Sequence, residues 1–178
     1  MVDRLHFTGD EAADKLLVEE PFALLVGFAL DQQVTVQKAF TGPYVLRERL
    51  GTLDVAAVAA ADLDPVFREK PAIHRFPGAM ATRVHELAVY VLEHYDGDAA
   101  RLWTEASSAE DLRARIAALP GFGDMKIKAL GSVLAKRFDV AFAEPLIPWH
   151  PTLGDVDSPA ALADYQASKK ANKESWLA

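Results

Sequence analysis

Apolar residues recur at intervals of three and four through most of this chain, and no stretch sustains the period-two alternation of a half-buried β-strand. Gly, Pro and Asp punctuate the Ala-rich periodic segments, so the pattern predicts an all-α fold. Helices are expected over 9–18, 21–39, 43–50, 53–61, 63–69, 77–95, 98–105, 108–118 and 124–137. Phe22, Leu25, Phe28 and Ala29 share one helical face, as do Val84, Leu87, Ala88, Val91 and Leu92, which marks both segments as core helices. After Phe138 the character changes: Ala143–Asp155 holds three prolines, which forbid a regular helix. Ser158 followed by Pro159 reads as an N-cap and first helical residue, so a last helix is expected over 160–171. At 178 residues the chain suits one unit. Its expected parts are a helical core over about 20–118, a hairpin and following helix over 119–138, and a Pro-rich excursion with a C-terminal helix over 139–178.

Composition removes several classes of function. Without cysteine there is no disulfide, thiolate zinc site, iron–sulfur cluster or cysteine nucleophile. No uncharged apolar run approaches the roughly 18 to 20 residues of a membrane span, and acids near the start take the place of a secretory signal's basic end. The expectation is a soluble, cytoplasmic protein with no membrane contact. His74, His85 and His94 lack metal-ligand spacing, so no transition-metal site is expected.

The net charge of −7 argues against nonspecific coating of nucleic acid, but the charge is segregated. Residues 1–20 hold six acids against two bases, and residues 93–111 hold six acids against Arg101. Between Val66 and Arg83, by contrast, Arg68, Lys70, Arg75 and Arg83 face only Glu69, and between Gly121 and Phe138 four bases face Asp124. Each basic strip is either a solvated helix face or a surface for an anionic partner.

The most informative segment is Leu119-Pro120-Gly121-Phe122-Gly123-Asp124-Met125-Lys126-Ile127-Lys128, between two expected helices. Pro120 ends the first helix, and Gly121 and Gly123 permit a very tight reversal. The next helix then begins at once, and its free N–H groups and positive dipole end suit a phosphate oxygen, with Lys126 and Lys128 one turn on. Leu119, Phe122 and Ile127 are expected to pack inward.

With its Leu-Pro-Gly-apolar-Gly reversal this segment, spanning with its helices about 108–137, resembles the hairpin of the helix-hairpin-helix (HhH-GPD) DNA glycosylases. Upstream, Ala29-Leu30-Asp31-Gln32-Gln33-Val34-Thr35 resembles the family's early helix end, and Phe76-Pro77-Gly78-Ala79-Met80 its helix start before the hairpin. The resemblance covers about 20–145. It implies a helical bundle that grips double-stranded, damaged DNA by its backbone through Gly121, Phe122, Gly123, Met125, Lys126 and Lys128. Gln32 and Gln33 would fill the gap left by an extruded nucleotide, although both also suit a plain helix end. It further allows a monovalent cation at the hairpin carbonyls.

The chain departs from the family's pattern at two positions. Met125 stands where strand-cutting members carry a Schiff-base lysine, and a thioether cannot act as that nucleophile. Twenty-one residues after Gly123, near the family's catalytic aspartate, the chain has Glu144. The following Pro145-Leu146-Ile147-Pro148 does not match the family's continuation. The resemblance thus implies a monofunctional N-glycosylase with Glu144 as its carboxylate, ahead of Asp139, Asp155 or Asp157. The alternatives are a non-catalytic reader of distorted DNA and a protein-interaction module. Trp149 and His150 are candidates to line a base pocket, although a tryptophan so placed is more often a hydrophobic anchor for its loop.

Overall fold

Nine of the ten residues of the helix Pro21–Leu30 are buried, so this short apolar segment is enclosed on every side rather than along one stripe. The computed structural model describes residues 1–177, which form helices and irregular segments with no β-strand among them. In chain order the helices are α1 (Glu11–Glu19), α2 (Pro21–Leu30), α3 (Val36–Leu50), α4 (Val55–Ala60), α5 (Asp64–Arg68), α6 (Pro77–Tyr95), α7 (Arg101–Thr104), α8 (Ala109–Ala117), α9 (Asp124–Arg137) and α10 (Pro159–Leu177). Two short 3-10 turns, Ala141–Leu146 and Leu153–Asp155, occupy the Pro-rich excursion.

Helix α2 is surrounded by α1, α3 and α6. The closest of these contacts is with α3, where Phe40 meets Phe28 edge-on at 5.0 Å and Phe7 at 4.9 Å. Gly27 makes this approach possible, since a Cβ there would run into the Phe40 ring. A single hydrophobic core extends from Leu5 to Leu162 and so takes in the N-terminal segment as well as the expected 20–118 region. Helix starts follow the side-chain capping rule: Asp10, Thr35, Asp54, Ser108 and Ser158 each accept a hydrogen bond from the backbone three residues on.

Two element boundaries differ from the sequence expectation. The expected helix 21–39 is broken at Asp31–Thr35, and α3 instead runs through Pro43. Thr35 caps the new start, and the flanking burial of Phe40 and Leu46 holds the helix together across the proline. Helix α10 extends past residue 171 because Trp176, near its end, is buried in a stack on His150, with ring centroids 5.1 Å apart. No described helix is long and apolar enough to cross a membrane.

Candidate nucleic-acid interface

The break between α2 and α3 is the centre of the candidate site. Helix α2 ends with free carbonyls, and two side chains from distant elements take them. Lys126 Nζ donates to the Ala29 carbonyl at 3.2 Å and to Gln32 Oε1 at 3.4 Å. His74 Nε2 lies 3.0 Å from the Leu30 carbonyl and 3.1 Å from that of Gln32, while its Nδ1 accepts the Phe76 N–H at 3.0 Å. Those bonds require the neutral ring with its proton on Nε2. Burial holds the His74 pKa below its ordinary value, in agreement with that tautomer.

Gln33 follows, exposed and in the left-handed region at φ +56. A non-glycine residue there costs on the order of 1 kcal/mol, and the surrounding bonds hold it. Asp31, two positions before it, is partly buried beside Lys126, Lys169 and Tyr165, and burial raises its pKa. Burial likewise raises that of Tyr165, with Asp31 adding to it. Helix α10 is fastened across this end of the site by a reciprocal amide pair between Gln37 and Gln166, at 2.8 and 3.3 Å.

The reversal joining α8 to α9 has Gly121 at φ +77, an angle a side chain would resist, with Gly121 and Gly123 exposed and Phe122 buried. Gly123 precedes α9 without any side-chain cap, so the first N–H groups of the helix have no capping side chain. The two lysines expected beside it are differently placed. Lys126 is turned inward to the α2 terminus rather than outward to a phosphate. Burial, and secondarily Arg83, lowers its pKa to about 8. Lys128 is paired with Asp124 at 2.8 Å, and Arg113 takes the same carboxylate at 2.8 Å. These partners, Lys128 first, lower the Asp124 pKa. Met125 is half-buried on the first turn.

Sequence reasoning missed Arg83 and the Arg75–Phe76 pair. Arg83 lies against the hairpin: a Cβ on Gly121 would come within 2.5 Å of its Cζ. Phe76 is 40% exposed, with the Arg75 guanidinium 5.3 Å from its ring centre. The surplus of bases over 66–83 was the available signal; nothing in it distinguished these arginines from Arg68, which is bound to Asp64. A monovalent cation fits this hairpin poorly, because the Leu119 and Gly123 carbonyls each accept a backbone N–H and the Arg83 guanidinium already brings a positive charge to Gly121.

The Pro-rich excursion brings no second wall to the site. Glu144 is exposed on the first 3-10 turn, and its carboxylate has no hydrogen-bond or ion-pair partner among the described residues. That turn, with Pro145 inside it, packs on α8 and α9. Asp139 pairs with the N-terminal ammonium, Asp155 binds Lys136 and the Thr152 N–H, and Asp157 is exposed. Trp149 is 73% exposed, whereas His150 is buried against Trp176 with its Nε2 unpartnered. The loop anchor is therefore His150, not Trp149. Among the described residues no three His, Asp or Glu side chains converge as metal ligands.

Comparison with family models, with curated proteins and with solved structures returns no match.

Proposed function

We propose that this chain is a DNA-binding protein of the helix-hairpin-helix glycosylase type, which grips duplex DNA at a damaged or mispaired base and hydrolyses its N-glycosidic bond. The observation that carries the reading is the Lys126 bridge. It ties the first turn of α9, directly behind the Gly121–Gly123 reversal, to the end of α2, where Gln33 projects. Backbone N–H groups that can hold a phosphate and a side chain that can enter a duplex are thereby fixed relative to one another, as nucleotide extrusion requires. The exposed Phe76 and the cations Arg75 and Arg83 add aromatic and positive surface on the neighbouring segment.

In the hydrolysis, a water oxygen attacks the sugar C1′ as the C1′–N bond breaks. Its electron pair goes to the base, which takes up a proton, and a carboxylate stabilises the positive sugar or accepts the water's proton. Glu144 is the first residue to test in that role. With methionine at position 125, no Schiff base forms there, so the product is an intact abasic strand.

The experiment is a glycosylase assay on duplexes carrying uracil, 8-oxoguanine, alkylated purines or mismatches, with alkali to reveal abasic sites. Wild type is expected to yield product on one of them, and Glu144→Gln to reduce it at least about 100-fold. Absence of product on every duplex would overturn the enzymatic reading. One observation favours a second reading, a non-catalytic reader of distorted DNA: nothing among the described residues orients the Glu144 carboxylate. Measurable, salt-sensitive binding without product would establish that alternative. Cytoplasmic, nucleoid-associated location belongs to the same proposal.

A further inference from the structure

Of the ten arginines in the chain, eight are engaged by protein partners. Arg4, Arg47, Arg49, Arg68, Arg101, Arg113 and Arg115 pair with carboxylates, and Arg137 donates to the Gly154 carbonyl at 3.0 Å. The remaining two, Arg75 and Arg83, have no carboxylate or hydrogen-bond partner among the described residues. Both flank the start of α6. Arg75 at least has the Phe76 ring beneath it. The Arg83 guanidinium instead fills the space over Gly121 that a Cβ would occupy, with Cζ 2.5 Å and Nε 2.9 Å from that position.

We propose that Arg83 is the phosphate-binding cation of the hairpin, taking a DNA backbone oxygen beside Gly121 in the place that the sequence pattern assigned to Lys126 and Lys128. This rests on the DNA-binding reading above and deepens it. Lys126 is committed to the α2 terminus and Lys128 to Asp124, so neither ammonium is free for a ligand. Arg83 is half-buried by the hairpin backbone, which limits the rotamers it must give up when it binds. Its planar fork presents several N–H donors, matches a phosphodiester's two free oxygens, and gives up hydration more readily than an ammonium. The requirement for glycine at position 121 is then twofold: φ +77, and room for the guanidinium.

The test is the salt dependence of binding to a fluorescein-labelled 20-base-pair duplex, read by anisotropy, for wild type, Arg83→Ala, Arg83→Lys and the remote control Arg101→Ala. Arg83→Ala is expected to weaken binding about tenfold at low salt and to reduce the slope of log K against log salt by about one. Arg83→Lys should restore the slope but not all of the affinity, and Arg101→Ala should match wild type. Thermal melts confirm folding, with Arg83→Gln as the substitute should the alanine variant unfold. Wild-type affinity and slope in folded Arg83→Ala would overturn the assignment while leaving DNA binding standing. No salt-sensitive binding by wild type would overturn both.

Discussion

At the scale of single residues, the two side chains that close the end of α2 both favour the folded state more as pH rises, each in its own window. His74 is bound as a neutral ring, so it favours the folded state fully above the ordinary histidine value of about 6.5. That contribution is lost as pH falls below 6.5, because the unfolded chain then takes up a proton that the folded one refuses. Denaturant midpoints measured at about pH 7 and pH 5 should show this drop in wild type. His74→Ala should already be destabilised at pH 7, by about 3 kcal/mol, through the orphaned Gln32 carbonyl, an orphaned N–H and a cavity. Lys126 acts in the same direction in a higher window: with its pKa lowered to about 8, its charge costs the folded state below that pH. The cost is relieved as pH rises from about 8 towards the ordinary lysine value of about 10.5, where the folded chain has given up its proton and the unfolded chain has not. A carbon-13 titration of the lysine side chains should find one midpoint near 8, absent from Lys126→Met. A set of midpoints all near the ordinary value would contradict this burial.

At the scale of elements, the helices were legible because apolar spacing and capping residues are local signals, and α6, α8 and α9 lie within about two residues of their expected limits. The break at Asp31–Thr35 was not legible in the apolar spacing, and only the resemblance marked a helix end there. A proline at 43 is a strong local stop, yet packing around Phe40 and Leu46 outweighs it, and Thr35 supplies the competing start. The end of α10 was likewise misjudged, since the contact that extends it joins Trp176 to His150 across a proline-rich loop. Only Leu162 and Trp176 of α10 are fully buried, so its second half depends on that stack. Trp176→Ala should remove about 1 kcal/mol of aromatic contact beyond the area lost. Backbone amides over 168–175 should then exchange with solvent roughly fivefold faster or more, while those of α2 keep their protection. Equal protection in the variant would place the support of α10 elsewhere.

At the scale of the whole molecule, the segregated charge is resolved by what each base touches. An acidic chain can still offer duplex DNA a positive surface if its acids are used internally, and most of its arginines are neutralised that way. Sequence motifs located the hairpin, and the resemblance marked the Gln32–Gln33 segment, but neither showed the link between them. Lys126 meets Ala29 across 97 positions, a contact that no local pattern encodes. The same limit hid Arg83, whose role depends on which other cations are already paired. It also hid the surroundings of Glu144, which lies exposed on a 3-10 turn. On the proposed function, Gln33, held in a costly backbone conformation beside the hairpin, enters duplex DNA when the protein binds. The most direct measurement is the fluorescence of 2-aminopurine opposite a mismatch in a duplex, titrated with wild type and with Gln33→Gly at low and high salt. Wild type should raise the fluorescence by unstacking the probe, and the rise should vanish at high salt. Gln33→Gly, relieved of strain and no less stable to denaturant, should bind without the rise. A rise of equal size in both proteins, or none in wild type at low salt, would contradict the account.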